Sequence, residues 1–227
     1  MSRWLVISDL QMIAEHSKAL AFCKRLAKEY KIPKENILNC GDELDLTAFS
    51  LYPRDGNEEY TANQEIEQAK EKIKEWASAF PKMKLCLSNH GLRILKRASH
   101  AQIPSQVIKN YHDIFNIPKA WQYDFFWKIN AKNPFLIQHG HTHNGLHGAR
   151  NAAIDNGISV VQGHNHTVAR IDFIRTKNLK IWAMSCGALI DKEKHCFNYA
   201  KDFRYQACIG TGIILDDGAL PIWLPLD

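Results

Sequence analysis

Trp4-Leu5-Val6-Ile7-Ser8-Asp9 decides how this chain is read. Four apolar residues, enough for one short buried strand, run straight into a carboxylate. The same arrangement returns at Ile37-Leu38-Asn39-Cys40-Gly41-Asp42 and at Lys84-Leu85-Cys86-Leu87-Ser88-Asn89. It returns twice more, at Pro134-Phe135-Leu136-Ile137-Gln138-His139 and at Ile158-Ser159-Val160-Val161-Gln162-Gly163-His164. One Asp or His after a strand is ordinarily a turn or capping residue. The repetition carries the weight. Sites in α/β sheets form beyond the carboxyl ends of strands, so these ends place their polar side chains around one cleft.

The intervening segments supply the helices. Ser17 caps a predicted helix that runs to Tyr30, with Ala19, Leu20, Cys23, Leu26 and Ala27 on one face, and Pro33 breaks the chain after it. Ser50 to Tyr60, with Pro53 and Gly56, reads as a loop. Asn63 to Phe80 is amphipathic through Ile66, Ala69, Ile73, Trp76, Ala77 and Phe80, and Pro81 ends it. Shorter helices are expected over Leu92–Ala98, Pro104–Phe115 and Ala149–Asp155, and a strand over Tyr123–Ile129. The last third reads as antiparallel strands: Ala169–Arg175, Leu179–Met184, Gln206–Leu215 and Leu220–Leu224. The pattern predicts an α/β fold of two packed mixed β-sheets flanked by helices. Residues 1–227 form one predicted domain, with no repeat, linker or low-complexity tract.

Composition narrows the function classes. The 227 residues are 45% hydrophobic and 23% charged, as in an ordinary globular protein. Six cysteines (Cys23, Cys40, Cys86, Cys186, Cys196, Cys208) form no C-x-x-C pair or zinc-ribbon spacing, so packing within a reducing cytosol is expected. No run of about 18 apolar residues predicts a membrane span. Met1 to Leu10, interrupted by Asp9, does not read as a signal peptide. The net charge of +5 mildly favours anionic partners. Lys24, Arg25 and Lys28 share one predicted helix, and Lys82, Lys84, Arg93, Lys96 and Arg97 lie mid-chain, without forming a basic tail.

Carboxylate, amide oxygen and imidazole together suit Mn²⁺, Fe or Zn²⁺ better than Ca²⁺, which prefers all-oxygen shells. At this point the sequence resembles the calcineurin-like metallophosphoesterases. Their motifs run D-x-H, G-D-x-x-D, G-N-H-D/E, H-G and G-H-x-H. This chain has Asp9-Leu10-Gln11, Gly41-Asp42-Glu43-Leu44-Asp45, Ser88-Asn89-His90-Gly91, His139-Gly140 and Gly163-His164-Asn165-His166 in the same order. S-D-L-Q near the start and N-H-x-x-R in the middle are similar to small members of phage and prophage type.

The resemblance implies a four-layer αββα sandwich and two divalent metal ions, Mn²⁺ first, with Fe, Zn²⁺ or Ni²⁺ as alternatives. Asp9 and His166 would bind one metal, with Gln11 at the position of the family's first histidine. Asp42 would bridge, and Asn89, His139 and His164 would bind the other. His90 would act at the leaving group, Asp45 would orient it, and Arg93 would hold a phosphate oxygen. Arg93 also reads as a solvated surface residue, and Gln11 as a hydrogen-bond partner of water rather than a ligand. Ser88 and Gly91 depart from the family's glycine and acidic residue.

A second G-H-x-H, Gly140-His141-Thr142-His143, competes with the later copy. The later one is preferred because a helix and a buried strand separate it from His139, as the resemblance to the family implies, and because it runs straight into the terminal strands. Were the earlier one the true motif, His100 or His112 would have to be the upstream ligand, and neither follows a strand. His141 and His143 are then loop histidines or line the mouth of the cleft. The implied reaction is hydrolysis of a phosphate ester by hydroxide formed between two metals. A phosphodiester of a nucleotide or nucleic acid is the first substrate class, and a phosphomonoester is the alternative. A catalytically idle metal-binding protein is the reading from another class. The expected location is cytoplasmic, or the host cytoplasm if phage-encoded.

Overall fold

The strands are short, three to seven residues long and each at least half apolar, and the computed structural model describes residues 1–51, 60–194 and 204–226. In chain order the elements are β1 (Trp4–Ile7), α1 (Ala19–Glu29), β2 (Ile37–Asn39), α2 (Ala62–Ala79), β3 (Met83–Cys86), α3 (Arg93–His100), α4 (Tyr111–Phe115) and β4 (Trp121–Asp124). There follow β5 (Phe126–Ile129), β6 (Phe135–Gln138), α5 (Gly148–Asn156), β7 (Ser159–Gln162), β8 (Ala169–Arg175), β9 (Lys180–Cys186), β10 (Gly210–Leu215) and β11 (Leu220–Pro225). The described residues thus hold five α-helices and two mixed sheets, in the orders β11-β10-β1-β2-β3-β4 and β5-β6-β7-β9-β8.

Three apolar clusters set the layers. Trp4, Val6, Leu38 and Ile214 of the first sheet pack against Phe135, Ile137, Val161 and Met184 of the second. Phe22, Leu26, Ile73 and Trp76 of α1 and α2 cover the outer face of the first sheet through Leu5, Ile7 and Leu85. Ala149, Ala152 and Ala153 of α5 cover the second through Leu136, Val160 and Ile181. The expected α/β sandwich is present at this level. Cys40, Cys86 and Cys186 sit in the inter-sheet cluster and Cys23 on the buried face of α1. Burial pushes the thiols of Cys23, Cys40 and Cys86 up. Cys196 lies outside the described residues, as do Pro53 and Gly56.

Several boundaries differ from expectation, each for a local reason. The aromatic stretch Tyr123–Ile129 is two strands, because Asp124 ends β4 in one sheet and Phe126 begins β5 in the other. Periodicity marks extended chain but not a change of sheet. Ser17 does not cap α1, which starts after Lys18 without a side-chain cap. Thr61 and Gln64 instead form a capping box on α2. The helix expected over Pro104–Phe115 is a 3-10 turn at Ser105–Val107 and then α4, which Asn110 caps through the Asp113 amide. The strand expected from Gln206 begins at Gly210, after a single bridge at Ile209. No helix among the described residues is long and apolar enough to cross a membrane.

Candidate metal centre

The carboxyl ends of β1, β2, β3, β6 and β7 meet, and the loops leaving them are stitched together by their own backbone. The Asp9 amide donates to the Gly41 carbonyl at 3.2 Å, Gln11 to Asp42 at 2.8 Å, and Met12 to Glu43 at 2.9 Å. The Asp45 amide returns a bond to the Met12 carbonyl at 3.0 Å. Gly163 donates to the His139 carbonyl at 3.1 Å, tying the two loops of the second sheet.

Four of the predicted metal residues hold left-handed backbone: Asp9 (φ 46°), Gln11 (φ 46°), Asp42 (φ 52°) and His164 (φ 67°). Each such non-glycine residue costs on the order of 1–3 kcal/mol, and such strain concentrates where side chains must be aimed at a ligand. Two glycines make the close approach possible. At Gly41 (φ 100°) a side chain would meet the Cys86 carbonyl at 2.8 Å and His139 Nδ1 at 3.0 Å. At Gly163 it would lie 2.1 Å from Asp9 Oδ2. Ser88 has no left-handed backbone, so it replaces glycine without strain, and its hydroxyl accepts from the Gly91 amide at 3.0 Å.

Two groups of side chains converge. Asp42, His139 and His164 bring one ligand atom each within 4.8 Å of one another, and so do Asp9, Asp42 and His166. Asp42 belongs to both. In the first group His139 Nδ1 lies 2.9 Å from the Cys40 carbonyl. A carbonyl only accepts, so that nitrogen carries a proton, which leaves Nε2 as the atom turned toward the cleft and the one that would ligate a cation. Nε2 stands 2.8 Å from Asn89 Oδ1, 3.2 Å from His164 Nδ1 and 3.4 Å from Asp42 Oδ2. Ligands about 2.1 Å from a common ion lie roughly 3.0 Å apart on an octahedron and 3.4 Å on a tetrahedron. The spacing therefore fits a transition-metal shell.

In the second group His166 Nε2 is 3.3 Å from Asp9 Oδ1 and 3.1 Å from Gln11 Nε2. The buried carbonyl oxygen of Gln11 has no donor among the described residues. An orphaned acceptor beside a carboxylate and an imidazole is what a cation satisfies, so the donor set fits a metal here too. Asp9 accepts the His164 amide at 3.0 and 3.1 Å and the Ser8 hydroxyl.

Charge follows the geometry. Burial opposes ionisation of Asp42, but His139, His90, the Ser88 hydrogen bond and His166 outweigh it and hold the carboxyl well below its usual range. Burial, reinforced by His139, pushes the His164 imidazole down to about 4, which keeps it neutral and able to ligate. Burial works the same way on His166, but the hydrogen bond and charge of Asp9 prevail and raise it.

Behind the two groups stands a polar brace. His90 Nδ1 is 3.1 Å from Asp45 Oδ1, close in distance but outside hydrogen-bond geometry. Arg93 is no solvated surface residue: Nη1 donates to the Asp45 carbonyl at 2.6 Å, and Nη2 lies 3.0 Å from His90 Nε2. Asp45 also receives the Thr47 hydroxyl. The amides of Thr47 and Ala48 donate to the two oxygens of buried Glu65 on α2, each at 2.8 Å. Glu43, next to Asp42 and buried, accepts the hydroxyls of Tyr111 at 2.8 Å and Tyr123 at 3.1 Å. Sequence reasoning missed both glutamates. Glu65 had a readable signal, a charge on the apolar stripe of Ala69, Ile73 and Trp76. Glu43 had none.

The competing G-H-x-H is divided by the fold. His141 is exposed, with its ring 5.7 Å from that of His139 and 6.5 Å from that of His164. Burial, His139 and Lys96 lower its imidazole. His143 faces Asp155 at 3.2 Å, outside both groups, and His112 reaches the Trp121 carbonyl at 3.0 Å. No family model and no curated protein matches this chain.

Proposed function

We propose that the chain is a metal-dependent phosphoric ester hydrolase of the calcineurin-like metallophosphoesterase kind, a single domain in the four-layer αββα arrangement. Phosphodiesters of nucleotides or nucleic acid are its substrates. The observation that carries the reading is that two groups of would-be ligands share the buried carboxylate of Asp42. A shared carboxylate lets two cations sit side by side, the arrangement used for in-line displacement at phosphorus. Asp9, Gln11 and His166 would hold one ion, Asn89, His139 and His164 the other, and Asp42 would serve both. The neutral amide oxygen of Gln11 favours Mn²⁺ over Zn²⁺ in the first position.

Two bound cations supply charge neutralisation at the ester oxygens and acidify water. The rest falls to the protein. Arg93 has guanidinium donors beyond those that meet Asp45 and His90 among the described residues, and these would take a phosphate oxygen. Asp45, 3.1 Å from His90 Nδ1, would position the ring, and His90 and Arg93 would together offset charge on the departing oxygen. The test is a metal-reconstituted screen with Mn²⁺, Fe²⁺, Zn²⁺ and Ni²⁺. Bis(p-nitrophenyl) phosphate is expected to turn over faster than p-nitrophenyl phosphate. His90→Ala should keep its metals and lose about 10²–10⁴-fold in rate. Preference for the monoester would shift the reading to a phosphomonoesterase, and no turnover with any metal would end it.

A further inference from the structure

The helix leaving the metal centre is basic along one side. α3 carries Arg93, Lys96, Arg97 and His100 and no acidic residue. At about 100° per residue these four fall within an arc of roughly 100°, turned about 130° from Ile94 and Ala98. Those two face the core. Lys96, Arg97 and His100 are exposed, and none forms an ion pair among the described residues. The stripe begins at Arg93, against His90 and Asp45, and runs outward for about 10 Å at the helical rise.

Two exposed aromatic residues stand on the same rim. Phe125 and Phe126 are 60% and 56% accessible where the chain passes from β4 to β5. The Asp124 carbonyl just before them accepts the Leu87 amide at 2.8 Å, two residues short of Asn89. Phe126 pairs with Gln138, the residue before His139. Both residues therefore sit beside the strand ends that deliver Asn89 and His139, and α3 begins four residues after Asn89. Exposed His141, beside the His139 and His164 rings, adds a further donor there.

Resting on the hydrolase reading above, we infer that the α3 stripe and the Phe125–Phe126 pair form a track for single-stranded nucleic acid, leading one phosphodiester into the metal centre. Cations take the phosphates and exposed rings stack the bases, a combination that tolerates any sequence because every base has a π-face. A duplex hides those faces, and an acidic peptide has none to offer.

The experiment measures anisotropy of end-labelled oligothymidylate in EDTA, so that binding is read without turnover. The log–log salt slope should fall by about 1.4 in Lys96→Ala/Arg97→Ala, at about 0.7 for each phosphate no longer neutralised. Phe125→Ala/Phe126→Ala should weaken binding at least about fivefold. Both variants should hydrolyse bis(p-nitrophenyl) phosphate at the wild-type rate, because that ester is too short to reach the track. Absence of oligothymidylate binding, an unchanged salt slope, or equal affinity for a duplex or for polyglutamate would overturn the track. A protein that binds oligothymidylate in this way but hydrolyses no ester with any metal would support the track and refute the hydrolase reading.

Discussion

Gly163→Ala is the sharpest perturbation the centre offers, because it adds one carbon and changes no charge. That carbon would lie 2.1 Å from Asp9 Oδ2 and 2.2 Å from Ser8 Oγ. Ordinary contact begins near 3.5 Å, so either the carboxylate or the strand end must give way by more than about 1 Å. Asp9 is fully buried and its oxygens are held by the His164 amide and the Ser8 hydroxyl, so it has nowhere to go. Ligands must stay within about 0.5 Å of productive geometry. Gly163 is not among the left-handed glycines, so the penalty is contact and not backbone strain. Overpacking of this kind costs about 1–3 kcal/mol, which for a chain this long lowers Tm by roughly 2–12 °C. Thermal unfolding in EDTA isolates that steric cost, and elemental analysis after Mn²⁺ reconstitution should show loss of the metal beside Asp9. Gly91→Ala is the matched control. It lies in the same centre, yet its nearest contact would be Ser88 Oγ at 3.4 Å, and neither readout should move. Full metal content with wild-type Tm in Gly163→Ala would refute the argument.

Asp42→Asn should weaken both metals, since both groups use this carboxylate; a variant that sheds one and keeps the other by elemental analysis would contradict the sharing. Glu65→Ala leaves the Thr47 and Ala48 amides without their acceptor. It should cost about 1–3 kcal/mol in urea unfolding and slow turnover with metals retained, and an unchanged midpoint would count against the brace. In metal-free protein the raised imidazole of His166 stabilises the fold below its ordinary value near 6.5, and that contribution fades as pH climbs through the raised folded value. The gap in urea midpoint between wild type and His166→Gln should therefore shrink from pH 5.5 to pH 8.5; a gap that widens would reverse the assigned sign.

Much of the site was legible in the chain itself, for a reason tied to particular residues. Asp9, Asp42, Asn89, His139 and His164 each follow a short apolar run, and a strand that ends in a turn aims its last side chain predictably. Glu43 was illegible because its partners, Tyr111 and Tyr123, stand 68 and 80 residues away. Arg93 read equally well as a surface residue or a phosphate ligand, because helical periodicity carries no information about Asp45 and His90 across the loop. The split of Tyr123–Ile129 was hidden in the same way, since both strands share one alternation and only the neighbouring β3 and β6 separate them.

The order of strands and of the turns that carry Asp9, Asp42, Asn89, His139 and His164, the mixed α/β class and the chemical types of the candidate donors follow from local pattern alone, since apolar period and turn chemistry act over a few residues. Which imidazole nitrogen turns inward, the sharing of Asp42, and the brace from Glu65 to His90 were decided only in three dimensions. Each depends on groups distant in sequence meeting at hydrogen-bond range, and the packing of two sheets and α2 sets those distances.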